Sequence, residues 1–269
     1  MRICANTMIF LEDDAQIAMA KLAAMGFDAV DLFGDMPTLD YRSVDSYELK
    51  AIRSLGERYK IELSMHGPCW DLNPASASRG HRDDVVAHYK EGIRLAAAVG
   101  ARTMVVHSGW RSDAKLSRTD ALGYATETIA RCLPEAKLTG VVLAVENVGL
   151  GGLNMFRSAH EWAGIAHQIG SPLIGLALDV GHAYLQGFDL VDSVHAAGQL
   201  LRHVNLHSND GILDGHLRLD QGVVDIGPAL KAMKHLDFQG HASIEIYATD
   251  HKEEALLFSR NIVQALLAA

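Results

Sequence analysis

The sequence has few cysteines, no long apolar run and no excess of basic residues, and each shortage excludes a class of protein. Three cysteines among 269 residues, without CxxC spacing, do not form a disulfide framework and favour a reducing compartment. No apolar run approaches the roughly 18 residues of a membrane span. Acidic residues in the opening MRICANTMIFLEDDAQ occupy the place of a signal-peptide cleavage region. We therefore expect a cytoplasmic protein with no membrane partner.

The chain instead alternates short apolar segments with longer amphipathic ones, and no Pro- or Ser-rich linker divides it. This alternation predicts a single-domain α/β protein over residues 1–269, a closed (β/α)8 TIM barrel. A doubly wound open sheet competes, but no GxGxxG follows the first strand. The predicted strands lie near 2–6, 27–33, 61–66, 103–107, 141–147, 174–179, 203–207 and 242–247, and the helices near 13–25, 46–59, 82–99, 118–138, 158–169, 189–201, 227–236 and 251–268.

Potential metal ligands end six successive strands of the predicted barrel. The active site of such a barrel lies at the carboxyl ends of its strands, so these side chains are expected to meet. In each of the last four strands, the residue two positions before the ligand is small or polar, and both point to the same face of the strand. The apolar residues point to the opposite face. The ligands should therefore point inward. They are His66, His107, Glu146, Asp179, His207 and Glu245.

Three inward carboxylates need compensating positive charge, because an unpaired buried charge is costly. No lysine or arginine lies within three residues of these strand-end ligands. Arg111, in a loop, is four residues from His107, and Arg202, short of the mouth, is five residues from His207. A divalent metal supplies the charge instead, and mixed His/carboxylate ligation suits Zn²⁺, Mn²⁺, Fe²⁺ or Co²⁺. The sequence thus predicts a metal site at the barrel mouth.

Three segments carry a resemblance to a known family: LAVENVG, LALDVGHAYLQGFDL and HVNLHSNDGILDGHLRLDQGVVDIG. With these in order, the chain resembles the xylose-isomerase-like TIM-barrel superfamily, in the group of sugar-phosphate isomerases/epimerases and endonuclease IV. The resemblance covers essentially the whole chain. Two departures are the absence of an arginine after the strand-seven histidine and LDQG in place of the usual GxG.

The epimerase branch implies a single divalent metal (Zn²⁺, Mn²⁺ or Co²⁺) on Glu146, Asp179, His207 and Glu245. A sugar or sugar phosphate would react through a metal-stabilised cis-enediolate. Glu146 and Glu245 would be the catalytic acid and base, one removing a proton and the other delivering one. The remaining residues expected to bind substrate are His66, His107, His182, Trp70 and Trp110.

The endonuclease IV branch implies up to three zinc ions and phosphodiester hydrolysis, on an AP site or a small phosphodiester. Its additional ligands have matches at every position, namely His66, His107, His182, Asp214 and His216. This alternative stays open, because the same ligands serve both reactions.

Charge does not favour a nucleic-acid partner. The formal net charge is −9, and the longest predicted loop carries only Arg79 and Arg82 against three aspartates. The loop after the second strand carries only Arg42. A small-molecule sugar is the expected partner, and the sequence leaves homo-oligomerisation open.

Overall fold

The computed structural model describes residues 1–149, 151–247 and 249–268. Its eight strands form a closed parallel barrel in which each strand pairs with its neighbours in sequence, and the last pairs with the first. The predicted (β/α)8 TIM barrel is confirmed. The strands are Arg2–Asn6 (β1), Ala29–Phe33 (β2), Glu62–His66 (β3), Thr103–His107 (β4), Val142–Glu146 (β5), Ile174–Asp179 (β6), Leu201–Leu206 (β7) and His241–Ile244 (β8).

Helices connect the strands and cover the barrel. None in the described part of the chain combines the length and the apolarity that crossing a bilayer requires. Short 3-10 helices lie at Thr7–Phe10, Gly151–Leu153 and Gly198–Leu200. The α-helices are Ala15–Ala24 (α1), Ser46–Tyr59 (α2), Arg79–Val99 (α3), Arg118–Ala130 (α4), Leu133–Thr139 (α5), Ala159–Ile169 (α6), Val180–Leu185 (α7), Leu190–Ala197 (α8), Gly227–His235 (α9) and Lys252–Ala268 (α10).

Apolar side chains form two separate clusters, as the alternation along the strands requires. Leu143 and Val145 belong to the large core cluster that also contains buried residues of the helices. Val105, Ala144 and Ala177 have the opposite parity and form a small cluster of their own. Two small alanines on this inward face leave room in the barrel for polar side chains.

One predicted helix proved wrong in its extent. The segment predicted as a single helix over 118–138 consists of α4 and α5, with a break between Ala130 and Leu133. Pro134 lies in the first turn of α5. Because proline has no amide hydrogen and clashes with the preceding turn, it starts a new helix more readily than it continues an old one.

The segment after β6 also differs from the prediction. The short helix α7 (Val180–Leu185) was not predicted, because its six residues are too few to show a helical period. The helix expected over 189–201 ends at Ala197, where Gly198 adopts φ +49°, and β7 begins at Leu201 rather than 203. His182 lies on α7, which begins directly after the end of β6.

Strand register brings the polar strand ends to a common level. His107 at the end of β4 pairs in register with Glu146 at the end of β5. Asp179 at the end of β6 pairs with Asn205 of β7. His207 and Glu245 each follow the last residue of their strand, so they lie at the rim where the loops begin.

Trp162 shows how the helices hold this barrel. Its side chain is fully buried on α6, and its indole N–H donates to the backbone oxygen of Val145 in β5 at 3.0 Å. We expect Trp162→Ala to lower the free energy of unfolding by about 3–5 kcal/mol, because it leaves a large cavity and removes the hydrogen bond to the Val145 carbonyl. Urea denaturation followed by circular dichroism measures this.

The control is Leu138→Ala, at a position that is 82% exposed on α5. It should change the free energy of unfolding by less than about 0.5 kcal/mol. Equal effects of the two substitutions would show that α6 does not depend on this contact.

Candidate metal centre at the mouth of the barrel

A pocket of about 280 Å³ opens where the carboxyl ends of the strands meet. This volume is near the lower end of ligand sites, which run from about 300 to 1,000 Å³. Its size and position suit one small polar molecule. Seven predicted site residues with ionisable side chains line it: His66, His107, Glu146, His182, Asp214, His216 and Glu245.

Asp179 and His207 lie at the back of the pocket and are fully buried. His207 Nε2 is 2.9 Å from Asp179 Oδ1 and 3.0 Å from Oδ2. His182 Nδ1 lies 3.2 Å from Glu146 Oε1 and 3.6 Å from Asp179 Oδ1. Each of the two carboxylates therefore faces at least one imidazole.

Helix α7 places His182 over these carboxylates. Asp179 is its N-cap residue, and its Oδ1 accepts a hydrogen bond from the His182 amide at 2.7 Å. Aspartate is favoured at this position because it satisfies a free amide of the first turn. The cap explains why a carboxylate ends this strand, and the helical turn that it starts holds the His182 side chain close to Asp179.

The loop after β7 adds Asp214 and His216. Asp214 Oδ2 lies 2.9 Å from His182 Nε2, and its Oδ1 lies 3.4 Å from His216 Nε2. The His216 ring stacks on His207, with the ring centres 3.8 Å apart. The loop thus closes one side of the pocket with a third carboxylate and a further imidazole.

Backbone contacts orient three of the imidazoles. The Nδ1 atoms of His66, His207 and His216 lie 3.0, 3.3 and 2.9 Å from the backbone oxygens of Gly67, Ser208 and Glu245, respectively. With the proton on Nδ1, each ring turns the lone pair of Nε2 toward a carboxylate. A second hydrogen bond of this kind is how proteins prepare histidine for metal binding.

The pKa values of the two glutamates in the pocket shift in opposite directions. Although burial opposes ionisation, the imidazoles of His182 and His66 hold the pKa of Glu146 well below its usual range. Burial raises the pKa of Glu245 to about 8, and the charges of Glu146 and Asp179 act in the same direction. Burial also lowers the pKa of His107 to about 4. Positive charge is therefore deficient around Glu245.

The donor set fits a divalent cation. Three groups have ligand atoms within 4.8 Å of one another, and none of the three includes Glu245. However, Glu146 Oε2 and Glu245 Oε2 are both buried and find no hydrogen-bond partner in the described part of the chain. Free carboxylate oxygens beside imidazole nitrogens are the mixed ligand set that Zn²⁺ or Mn²⁺ takes. The groups are His182/His207/Asp214/His216, His66/Cys69/His107 and Glu146/Asp179/His182.

Both tryptophans expected to bind substrate line the pocket. Trp70 is 54% exposed, and its indole N–H donates to the backbone oxygen of Met36 at 3.0 Å. Trp110 is half-buried, and its backbone is paired with the Asn73 side chain. Two aromatic faces thus border the opening.

Sequence analysis missed three residues that shape the site. Cys69 lies beside His66 and His107. Asn147 joins β5 to β6, because its side chain bonds both the amide and the carbonyl of Asp179, at 2.7 and 2.9 Å. Asn147 follows Glu146 directly in the sequence, so its position beside a strand-end carboxylate was the available clue.

The third missed residue is Asp31, which is fully buried inside the barrel on β2. Asn6 and Ser64 each donate to its carboxylate at 2.7 Å. His203 and Ser243 lie close by, with His203 Nε2 at 3.7 Å. Nothing in the apolar segment FDAVDLF distinguishes this aspartate from a surface one.

Comparison with known proteins agrees with this geometry. Residues 19–262 match the sequence profile described as xylose isomerase-like TIM barrel. The chain belongs to this family. The resemblance inferred from the sequence motifs is therefore confirmed.

Several members of the family are similar along most of their length. An uncharacterized protein of Methanocaldococcus jannaschii is 25% identical, over 91% of this chain and 83% of that protein. Fructoselysine 3-epimerase of Shigella flexneri is 19% identical, over 93% and 91%. A probable endonuclease 4 of Mycobacterium leprae is 26% identical, over 80% and 84%. The family thus includes proteins named for both reactions considered above.

Among solved structures, a D-tagatose 3-epimerase-like protein superposes with a TM-score of 0.87 and 23% sequence identity. The match covers 100% of this chain and 97% of that one. It shows that the two proteins share the barrel fold over their whole length.

Gly181 offers a steric test of the metal centre. A Cβ atom added there would lie 2.0 Å from Cε1 of His207. We expect Gly181→Ala to displace the imidazole and to weaken Zn²⁺ binding at least tenfold, as is typical when a ligand loses its support. Isothermal titration calorimetry on chelator-treated protein measures the change.

Gly123→Ala is the matched control, because among the described residues no group outside its own stretch of helix lies within 4 Å of the added carbon. Gly123 is inside α4, where alanine stabilises a helix by about 0.5–1 kcal/mol. Its zinc affinity should be unchanged. Wild-type affinity in Gly181→Ala would mean that His207 is not a ligand.

Proposed function

We propose that the protein is a divalent-metal-dependent sugar isomerase/epimerase that acts through a cis-enediolate. The observation that carries the proposal is the pocket itself, in which Glu146 and Glu245 border one small space lined by ionisable and aromatic side chains at the barrel mouth. The relatives and structural neighbours named as sugar 3-epimerases support the same reaction class.

In this proposal the metal is held by Glu146, Asp179, His207 and Glu245. When bound, the cation supplies Lewis-acid polarisation of the sugar carbonyl and the adjacent hydroxyl. One glutamate carboxylate removes the proton from the carbon that bears this hydroxyl, and the other returns a proton to the opposite face of the same carbon. Epimerisation requires this pair because one group cannot reach both faces of a carbon.

The remaining polar and aromatic side chains orient the sugar. His182 lies over Glu146 and borders the space that the sugar would occupy. Trp70 and Trp110 offer aromatic faces to the apolar face of the sugar and exclude water from the reacting carbon. Binding and water exclusion thus come from the loops after β3 and β4.

The substrate is proposed to be unphosphorylated. No lysine or arginine is among the described residues that line the pocket. Arg111, in the loop after β4, donates instead to the backbone oxygens of Ala114, Leu116 and Gly152. A phosphate normally meets such a cation in its pocket. A neutral ketose needs no such cation.

Phosphodiester hydrolysis is the second candidate. It is supported by the complete set of nine matching residues, seven of which line the pocket, and by the relative named as a probable endonuclease 4. The scarcity of basic side chains at the mouth speaks against a DNA substrate.

Hydrogen exchange separates the two candidates. A set of neutral ketoses is incubated with metal-loaded protein in D₂O and followed by ¹H NMR. We expect one substrate to gain deuterium at a single carbon beside the carbonyl as its epimer appears. Glu146→Gln and Glu245→Gln should each slow the exchange by about 10²–10⁴-fold, which is the usual contribution of a general acid or base.

The matched control is Glu253→Gln, at an exposed position at the start of α10, which should exchange at the wild-type rate. Cleavage of an abasic-site DNA or a small phosphodiester, with no exchange in any ketose, would overturn the epimerase proposal.

A further inference from the structure

A second cavity, here called the outer cavity, adjoins the pocket at the loop after β3. It has a volume of about 720 Å³, whereas the pocket at the barrel mouth has about 280 Å³. Trp70 and Asp71 line both. The rest of its wall comes from the loop after β2, which contributes Tyr41, and from α3, which contributes Asp84 and His88. A molecule bound in the pocket can therefore extend past Trp70 into a space that still belongs to the protein.

Trp70 lies between the two cavities in a fixed orientation. Its ring makes an edge contact with Phe33, a residue of the pocket, with the ring centres 6.0 Å apart and the planes at 76°. Its indole N–H donates to the backbone oxygen of Met36, a residue of the outer cavity, at 3.0 Å. The side chain is nevertheless 54% exposed. Because the ring is already fixed, a ligand that packs on it loses little affinity to the ordering of this side chain.

The polar side chains of the outer cavity offer both acceptors and a donor. Asp71 and Asp84 line it, and neither carboxylate forms a hydrogen bond or an ion pair within the described part of the chain. His81 Nε2 accepts a hydrogen bond from the backbone amide of Asn73 at 3.0 Å, so this imidazole carries its proton on Nδ1. Sugar hydroxyls both donate and accept hydrogen bonds, and they therefore match such a mixture.

Charge limits what the outer cavity can bind. Arg42 donates to the carboxylate of Asp40 at 2.8 Å, which compensates its positive charge. Asp35 is buried and accepts hydrogen bonds from two backbone amides of the loop after β3. The two carboxylates without partners would repel a phosphate or a carboxylate group. An ammonium group offers donors only, whereas a neutral sugar also accepts from His81.

We propose that the outer cavity is a subsite for a second, neutral sugar unit, joined by a glycosidic bond to the ketose unit in the pocket. The glycosidic bond would pass Trp70, and the second unit would bind against α3. The inference deepens the proposed function and rests on it, since it takes the unit in the pocket to be the reacting ketose. It names the substrate class as a disaccharide that ends in a ketose.

A comparison of sugar affinities tests the subsite without requiring turnover. Dissociation constants for the Zn²⁺-loaded protein are measured by saturation-transfer-difference NMR for D-fructose and for maltulose, lactulose and isomaltulose, three disaccharides that end in a fructose unit. We expect at least one disaccharide to bind about tenfold or more tightly than D-fructose, since one stacking contact and one or two hydrogen bonds are worth about that factor. Failure of all three to reach it would contradict the subsite.

Two substitutions on α3 localise the effect. Asp84→Trp fills the outer cavity from an exposed helical position, and it should reduce the preference for the disaccharide to less than about twofold. Asp83→Trp is the matched control, because Asp83 is also exposed but pairs with Arg131 and does not line the cavity. It should keep the full preference. A preference that survives Asp84→Trp, or that both variants lose equally, would rule out the subsite.

The subsite and the epimerase proposal can fail separately. Tighter binding of a disaccharide, together with no deuterium exchange in any ketose or disaccharide, would overturn the epimerase proposal and leave a sugar-binding site with two units. Exchange in a monosaccharide ketose, together with no preference for any disaccharide, would overturn the subsite and leave the epimerase.

Discussion

Three buried carboxylates meet at the carboxyl end of the barrel, and the cost of keeping them there determines the arrangement around them. Removing a carboxylate from water costs several kcal/mol unless charges or donors compensate it. Imidazoles compensate Glu146 and Asp179 in part. Glu245 is compensated least, and its pKa rises accordingly. The histidines, the cap of α7 and the loop after β7 all serve to surround these charges.

A second polar layer deeper in the barrel shows the contrast. The carboxylate of Asp31 accepts two short hydrogen bonds, from Asn6 and Ser64, so neutral donors compensate the burial of its charge. At the mouth, Glu146 Oε2 and Glu245 Oε2 are left without donors among the described residues. Satisfied polar groups stabilise one packing of the interior, whereas unsatisfied ones mark a binding site. The two layers are therefore expected to differ in function.

The eight-strand barrel could be predicted from the sequence, since apolar alternation and strand-end polar residues are local patterns. The ligand positions followed from chain order, because parallel strands end at the same face. Cys69 could not be predicted, since its approach to His107 depends on the path of a long loop. The burial of Asp31 could not be predicted, because its hydrogen-bond partners come from other strands. Helix α7 was too short to show a period.

We propose that these carboxylates hold a divalent cation. The decisive experiment is a crystal structure of the protein grown with Zn²⁺, with anomalous data at the zinc edge. We expect a peak about 2.0–2.2 Å from side-chain atoms of Glu146, Asp179, His207 and Glu245. An anomalous map with no peak among these four residues, at a zinc concentration that saturates the protein, would contradict it.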